Sequence, residues 1–414
     1  MSKKLFRTAS LLTIGAFLVV GCSEPLPYEA PVVMPVDSSA IAGASPVDLT
    51  LLGHGLVQDR YSGEVWVRGS TAYTSTWNFR GINGGDAIKI WDVSGNQPVL
   101  VDSVIVANAG TTGDVQVSDD GNLLAVAVEP TGYGALALYS LANPRKPQLI
   151  TRYSSQNLIS GVHTAEISRV GGVLYAFCSI DPASGVPAKL VILNLTNPAT
   201  PVEVTVLTLG APFQHDVFVR NGLLFTAEWN NGVGIWDIGA TSGSVAAPKR
   251  LGLLKTIGGQ VHNIYWYIDP TNNSKRFAFI GEEGPGQIGF SSAGNIHVVD
   301  ISDFSALKEV AVYSVAGAGV HNFSMDEDKG LLYAAYYNAG IRVLDVRGDL
   351  GVCSAGQKTA DGRCDLALMG REKARVLGNT DLGIDYVWGV QYVNGSLYAT
   401  DMITGLWKYQ GATR

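Results

Sequence analysis

The feature that most constrains the fold of this chain is an internal repeat of short apolar strands. One copy enters its first strand at His215 and continues through apolar runs at 223–228, 233–238 and 250–256. A period of about 50 residues with four strands in each copy is typical of a propeller blade. The copies begin near seven positions: Glu64, Gly113, His163, His215, His262, His321 and Trp388. The chain is therefore predicted to be all-β and to form a single seven-bladed β-propeller over residues 47–414.

Ring closure is predicted from the two ends of the repeat region. The last copy, 389–409, has room for only three strands, whereas the segment 46–56 is a spare apolar strand. If this N-terminal strand completes the last blade, it closes the ring and covers the edges that an open sheet would expose.

Composition agrees with this architecture and excludes one class of partner. Charged residues make up 16% of the chain and 49 of 414 residues are glycine, as suits short strands joined by tight turns. The net charge of −7 argues against nucleic acid, because binding a phosphate backbone needs a basic face.

The N-terminus predicts export and lipid anchoring. Lys3, Lys4 and Arg7 precede a short apolar run, 11–20, that ends shortly before Cys22. This arrangement resembles the lipobox of bacterial lipoproteins. The resemblance implies that residues 1–21 are a cleaved signal peptide, that Cys22 is lipidated, and that Ser23 directs the protein to the outer membrane. Prolines in 22–46 favour an extended tether between the membrane and the propeller.

The other cysteines divide into two kinds. Cys353 and Cys364 lie close together in an insertion near 349–380, and an oxidising compartment favours a disulfide between them. Cys178 follows an apolar run and is expected to be a small buried side chain.

Several predicted third strands end in aspartate, as at Asp92, Asp300 and Asp345. This ending resembles the LVIVD-type repeats of bacterial surface propellers, and the steps Asn143-Pro144 and Asn197-Pro198 fit the same pattern. The resemblance implies a propeller at the cell envelope and no particular activity. Physically, an aspartate suits a strand end because its carboxylate can accept backbone N–H groups of the following turn.

Histidines form the pattern that points most directly to function. Four of the six occupy one repeat position, where the chain enters the innermost strand of a blade: His163, His215, His262 and His321. The second strand runs back to the same face of the ring. Its ends carry Glu129, Glu228, Glu282 and Asp401, with Glu283 adjacent. Imidazoles and carboxylates should therefore share one mouth of the central channel.

Three interpretations of this mouth follow. Each histidine could hydrogen-bond a nearby turn or carboxylate, because side chains of a regular strand point at neighbouring blades. Alternatively, His163, His215, His262 and His321 converge on the axis and hold one transition metal ion in an oxidative enzyme. In the third, a metal-free pocket binds a polar ligand through Glu228, Glu282, Asp401, Trp229 and Trp388. The leading hypothesis is a lipid-anchored binding module for a protein or small molecule, with the metalloenzyme as its alternative.

Overall fold

The computed structural model describes residues 46–130, 135–182, 187–209, 212–283, 294–378 and 384–413. The predicted signal peptide, the lipidated Cys22 and the tether up to residue 45 lie outside these ranges. The described helices are two single turns of 3-10 type, Gln156–Leu158 and Ala355–Gln357. In the described part of the chain, no helix has the length and apolar character needed to cross a membrane.

Seven antiparallel sheets stand in a ring, so the predicted seven-bladed β-propeller is confirmed. Strands are given from the innermost outward. Blade 1 consists of Tyr61–Arg68, Thr71–Trp77, Ala87–Asp92 and Val99–Ile105. Blade 2 consists of Val115–Val117, Leu123–Ala127, Leu136–Ser140 and Gln148–Tyr153, with a small extra ladder between Ala109–Thr111 and Glu129–Pro130. Blade 3 consists of Thr164–Val170, Val173–Ile180, Lys189–Asn194 and Val202–Thr208.

The second half of the ring repeats this order. Blade 4 consists of Val217–Arg220, Leu223–Ala227, Val233–Asp237 and Lys249–Leu254. Blade 5 consists of Val261–Trp266, Phe277–Glu282, Ile296–Asp300 and Lys308–Tyr313. Blade 6 consists of Phe323–Asp326, Leu331–Ala335, Ile341–Asp345 and Glu372–Val376. Blade 7 consists of Val387–Val393, Ser396–Asp401, Gly405–Gln410 and the N-terminal strand Leu51–Leu56.

Closure follows the prediction for most of the N-terminal segment. Leu51–Leu56 pairs antiparallel with Gly405–Gln410 and completes blade 7. The preceding residues Val47–Asp48 differ from the prediction, because they pair in parallel with Glu372–Val376 at the outer edge of blade 6. The segment thus bridges two blades instead of belonging to one.

The hydrophobic core lies between adjacent blades. Except in blade 2, the second strands carry an aromatic side chain near their middle, and Phe177, Phe225 and Phe279 are each fully buried there. Burying a side chain of this size stabilises the fold by about 1.5–3 kcal/mol relative to leaving it in water. The apolar periodicity that predicts strands therefore also produces the packing that holds the ring together.

Aspartates at the ends of third strands act as predicted. Oδ1 of Asp92 accepts the backbone N–H of Ser94 at 3.0 Å, and Oδ1 of Asp300 accepts that of Ser302 at the same distance. In blade 4, the two carboxylate oxygens of Asp237 accept several backbone N–H groups of the next turn, including that of Gly239 at 3.0 Å. The repeated aspartate is therefore a turn-forming residue.

The predicted disulfide joins Cys353 to Cys364. It lies in the insertion of blade 6, whose short strand Cys364–Asp365 pairs in parallel with Lys308–Tyr313 of blade 5. The insertion therefore covers the outer edge of the neighbouring blade.

Cys178 is fully buried, and burial raises the pKa of its thiol. We expect less than about 5% of this thiol to react with iodoacetamide in the native protein, because both access and thiolate formation are suppressed. In a chain that begins at residue 46, denaturation without reductant should make one thiol reactive, that of Cys178, because Cys353 and Cys364 stay joined. Rapid native labelling, quantified by mass spectrometry, would contradict the buried position.

Candidate functional site

Each of the four repeat-position histidines stands at a β-bulge where its blade begins. In blade 4, the backbone carbonyl of Ala227 accepts the N–H of His215, and the N–H of Ala227 donates to the carbonyl of Asp216. In blade 6, Ala335 does the same for His321-Asn322. Such a bulge leaves one residue unpaired and turns its side chain away from the regular strand direction.

Backbone register identifies the same position in every blade. Register shifts occur at this point in blades 1, 5 and 7 as well. From blade 1 to blade 7 the residues are Gly63, Gly113, His163, His215, His262, His321 and Trp388. Glycine is needed at position 113, because a Cβ there would lie 2.7 Å from the carbonyl oxygen of His163. Small residues in two blades leave room for the larger rings of the others.

Six aromatic rings close a circuit across this mouth, which we call the ring plug: Trp77, His163, His215, His262, His321 and Trp388. Successive centroids lie 5.8, 4.5, 3.8, 4.2, 4.1 and 5.0 Å apart, the last being the return from Trp388 to Trp77. All six side chains are buried. The histidines therefore face one another at the mouth, whereas a regular strand would have directed them between blades.

A second layer comes from the residues just beyond the second strands. By register these are Trp77, Glu129, Asp181, Trp229, Glu283, Tyr337 and Met402. Trp229 and Tyr337 have φ angles of 45° and 42°, in the left-handed region that non-glycine residues rarely adopt. Asp181 was not predicted as a site residue. It lies two residues after Ser179, whose backbone carbonyl accepts the N–H of His163, and this spacing could have identified it.

The predicted ligand-binding carboxylates lie one residue before this layer and have structural partners. Glu228 pairs with Arg250 at 2.8 Å, and Glu282 lies 2.9 Å from Nε2 of His297. Asp401 accepts the backbone N–H groups of Asp385, Ile403 and Thr404. Trp229, in contrast, stacks on His215 of the ring plug, and Trp388 is itself a member of the plug. A ligand-binding role for these five residues stays a prediction.

Two histidines of the plug, together with the neighbouring carboxylate of Glu283, have the composition of a metal site. Ligand atoms of His215, His262 and Glu283 all lie within 4.8 Å of one another, and all three residues are at most 3% exposed. Oε2 of Glu283 lies 3.7 Å from Nε2 of His262, while Oε1 accepts a hydrogen bond of 2.6 Å from Tyr337. Neither ring nitrogen of His262 has a hydrogen bond of normal length and angle, although the side chain of Asn263 and the backbone of His321 lie close enough to interact with the ring.

A second group lies beside the first and nearer to solvent. Nδ1 of His163 is 2.5 Å from Oε1 of Glu129 and 3.4 Å from Oδ2 of Asp181. Both carboxylate side chains are about one quarter exposed, at 28% and 25%. Nε2 of His163 lies 2.9 Å from Nε2 of His215, so the two groups are in contact.

Among the described residues, the two groups divide three of the four histidines between them and do not include His321, and a site formed by all four imidazoles stays a prediction. His321 is oriented by a 2.9 Å contact between its Nδ1 and the carbonyl oxygen of Trp388 in the next blade. Burial and the neighbouring imidazoles hold the pKa values of His215, His262 and His321 well below the ordinary range. These rings are neutral at pH 7 and keep a nitrogen lone pair, which is the form that binds metals.

Comparisons with known proteins show the fold alone. No family model matches the chain, and no curated protein matches it. The computationally designed Ika8 protein is similar in structure, with a TM-score of 0.54, 9% identity, and coverage of 87% of this chain and 99% of the designed one. Saccharomyces cerevisiae Sqt1 is similar with a TM-score of 0.53, 8% identity, and coverage of 86% and 84%. Function must therefore be argued from the site.

Proposed function

We propose that this protein is a metal-binding module of the bacterial cell envelope, and that it holds one transition metal ion between His215, His262 and Glu283. One observation carries the proposal. His262 is 1% exposed, yet neither of its ring nitrogens has a hydrogen bond of normal length and angle. Leaving a buried polar group unsatisfied costs about 1–3 kcal/mol, which a bound metal would offset.

The surroundings of this group fit a metal in two further respects. Ligands of a tetrahedral ion lie about 3.4 Å apart, so atoms already within 4.8 Å need only small side-chain rotations to reach it. Tyr337 orients Glu283 through one carboxylate oxygen, as second-shell groups do in metal sites, and the other oxygen faces His262. Two nitrogens and one oxygen suit zinc, copper or iron better than calcium or magnesium.

The enzyme alternative, with His163, His215, His262 and His321 as ligands, shares two ligands with this site and gains no additional support. Catalysis would require an open coordination position and a route for substrate. Each ligand of the proposed metal site is at most 3% exposed. Metal binding is therefore the function that the geometry favours.

The place of action is also part of the proposal. Cys22 and the basic, apolar start of the chain support a lipid-anchored protein at the outer membrane, held off the surface by residues 22–46. Aspartates at the third-strand ends support membership of the LVIVD-type propellers. An envelope propeller that holds a metal could in addition present a protein or small-molecule binding face beside the plug.

Elemental analysis tests the metal site directly. A chain beginning at residue 46 would be purified without an affinity tag, exposed to zinc, copper, iron or manganese, and freed of loose metal by gel filtration. We expect about one equivalent of metal in the parent and less than about 0.2 in His262→Ala, because the ion loses one of three protein ligands. Mass spectrometry measures the bound metal, and the absorption spectrum of a sample loaded with cobalt instead gives a second, independent readout.

The matched control is His54→Ala. His54 lies in the outer strand of blade 7, where its ring stacks on Trp407. This variant therefore also loses one histidine but leaves the plug intact. It should keep the full equivalent of metal. Parent protein that stays metal-free, or a His262→Ala variant that binds as well as the parent, would refute the proposed function.

A further inference from the structure

Behind the ring plug, the central channel widens into a cavity of about 360 Å³. Its wall is built from the first strands of the blades, starting one residue after the plug position. Five polar members of the lining directly follow the plug position, and Glu166 lies two residues further along its strand; the five are Glu64, Asp114, Asp216, Asn263 and Asn322. A volume of this size is in the range of small-molecule sites.

The carboxylates of this wall have no lysine or arginine partner, and among the histidines His321 places its Nδ1 3.7 Å from Oε1 of Glu64. No lysine, arginine or histidine of the described chain lines the cavity, and no described lysine or arginine forms an ion pair with Glu64, Asp114, Glu166 or Asp216. Burial and the neighbouring carboxylates raise the pKa of Glu166 well above its usual value. Clustering carboxylates without a cation is costly, so their retention calls for an explanation.

Contacts between blades explain only part of why carboxylates line this cavity. Oε1 of Glu166 accepts the backbone N–H of Val219 in the next blade at 3.0 Å. Gln116 makes the same kind of contact to the N–H of Ile167 with a neutral side chain. A carboxylate is therefore not needed for the contact, and Oε2 of Glu166 has no hydrogen bond to the described protein. The capacity of this carboxyl group to carry a negative charge is therefore not used by the contact between the blades.

Asn263 gives an independent indication of a missing donor. It lines the cavity and is 3% exposed, and its Oδ1 has no hydrogen bond of normal length and angle, although its side chain lies close to the ring of His262. A buried amide oxygen without a donor costs about 1–3 kcal/mol. A ligand that supplies N–H groups would satisfy this oxygen as well as the second carboxylate oxygens.

The spacing of the carboxylates decides between a bare ion and a larger cation. Among the described residues, no three of these carboxylates bring their oxygens within 4.8 Å of one another. The ligand atoms of the two candidate metal groups described above do lie that close together. A calcium ion would need several oxygens at 2.3–2.6 Å. Aromatic side chains also line the cavity, at Trp66, Phe218 and Tyr265. Carboxylates spread around an aromatic-walled cavity are suited to an organic ammonium group.

We propose that the central cavity is a binding site for an aliphatic amine carrying two or more ammonium groups, separate from the metal site of the plug. The ammonium groups would lie between the carboxylates of Glu64, Glu166 and Asp216, and the carbon chain would lie against the aromatic wall. Charge-assisted hydrogen bonds to carboxylates supply the affinity, and the cavity volume limits the ligand to a short chain.

Isothermal titration calorimetry with spermidine and 1,4-diaminobutane tests this site. We expect saturable 1:1 binding that weakens at least about 10-fold in Glu166→Gln, because one charge-assisted hydrogen bond is lost. The glutamine can keep the contact to Val219, as Gln116 keeps its own, so the variant should fold with an unchanged or higher unfolding midpoint. Asp102→Asn on the outer strand of blade 1 removes the same charge far from the axis and should bind like the parent.

Two further probes complete the experiment. 1,4-Butanediol has the same carbon chain without charge and should not bind. Calcium chloride that binds tightly, and is lost in Glu166→Gln, would overturn the proposal in favour of a hard-cation site. Absence of amine binding, or amine binding that Glu166→Gln and Glu64→Gln both retain, would overturn it as well. None of these results depends on metal in the plug.

Discussion

A chain that begins at residue 57 instead of residue 46 should lose about 5 kcal/mol of its free energy of unfolding. The missing strand Leu51–Leu56 makes five register pairs with Gly405–Gln410, and each backbone hydrogen bond contributes about 0.5–1.5 kcal/mol net. The stack of His54 on Trp407, with centroids 3.9 Å apart, is lost as well. Removing the strand also exposes an unpaired edge, so the shortened protein should aggregate on heating.

Equilibrium urea unfolding followed by tryptophan fluorescence measures this effect. The matched control is the chain beginning at residue 46, which keeps the closing strand and should resemble the full-length protein. A synthetic peptide of residues 46–56, added at millimolar concentration, should restore part of the lost stability by pairing with the open edge. An unchanged unfolding midpoint in the shortened chain would show that ring closure contributes little.

The second large effect is expected at a buried ion pair within blade 6, which Tyr313 of blade 5 contacts. Nη1 of Arg342 lies 3.4 Å from Oε1 of Glu372, and the Tyr313 hydroxyl donates to Oε2 of the same carboxylate at 2.9 Å. The side chains of the pair are only 2% and 3% exposed. We expect Glu372→Ala to lower the free energy of unfolding by about 3–5 kcal/mol, because it leaves the arginine charge buried without a partner.

Two variants separate the loss of this pair from other causes. Arg342→Met combined with Glu372→Met removes both charges and should recover most of the stability. Arg145→Ala removes the exposed pair to Asp92, whose side chains are 48% and 23% exposed, and should change stability by less than about 1 kcal/mol. If Glu372→Ala and Arg145→Ala have equal effects in urea unfolding, the buried pair is not a major stabilising contact.

The fold could be predicted from the sequence because its causes are local and repeated. Period-two apolar runs predict strands, Asn-Gly turns separate them, and seven copies of one pattern leave few ways to bury the apolar faces other than a ring. The same local chemistry predicted the turn role of Asp92 and Asp300. The disulfide between Cys353 and Cys364 followed from proximity in the sequence and the expected compartment.

The histidine set was predictable as residues but not as a site. A regular strand directs its side chains at neighbouring blades, whereas bulges turn His215, His262 and His321 towards one another. Bulges depend on pairing with the second strand, which a single sequence does not show. For the same reason the predicted carboxylates Glu228 and Glu282 are one residue out of phase with the layer that contains Glu283.

Sequence alone determined which elements form and how often they repeat, since strand periodicity and turn chemistry act over a few residues. Only the tertiary structure decided which side chains meet at the axis. There, residues about 50 positions apart come within 5 Å, as His163 and His215 do at 4.5 Å between ring centroids. A shift of one residue in register moves a side chain to the other face of its strand, so the site depends on pairings that only the closed ring establishes.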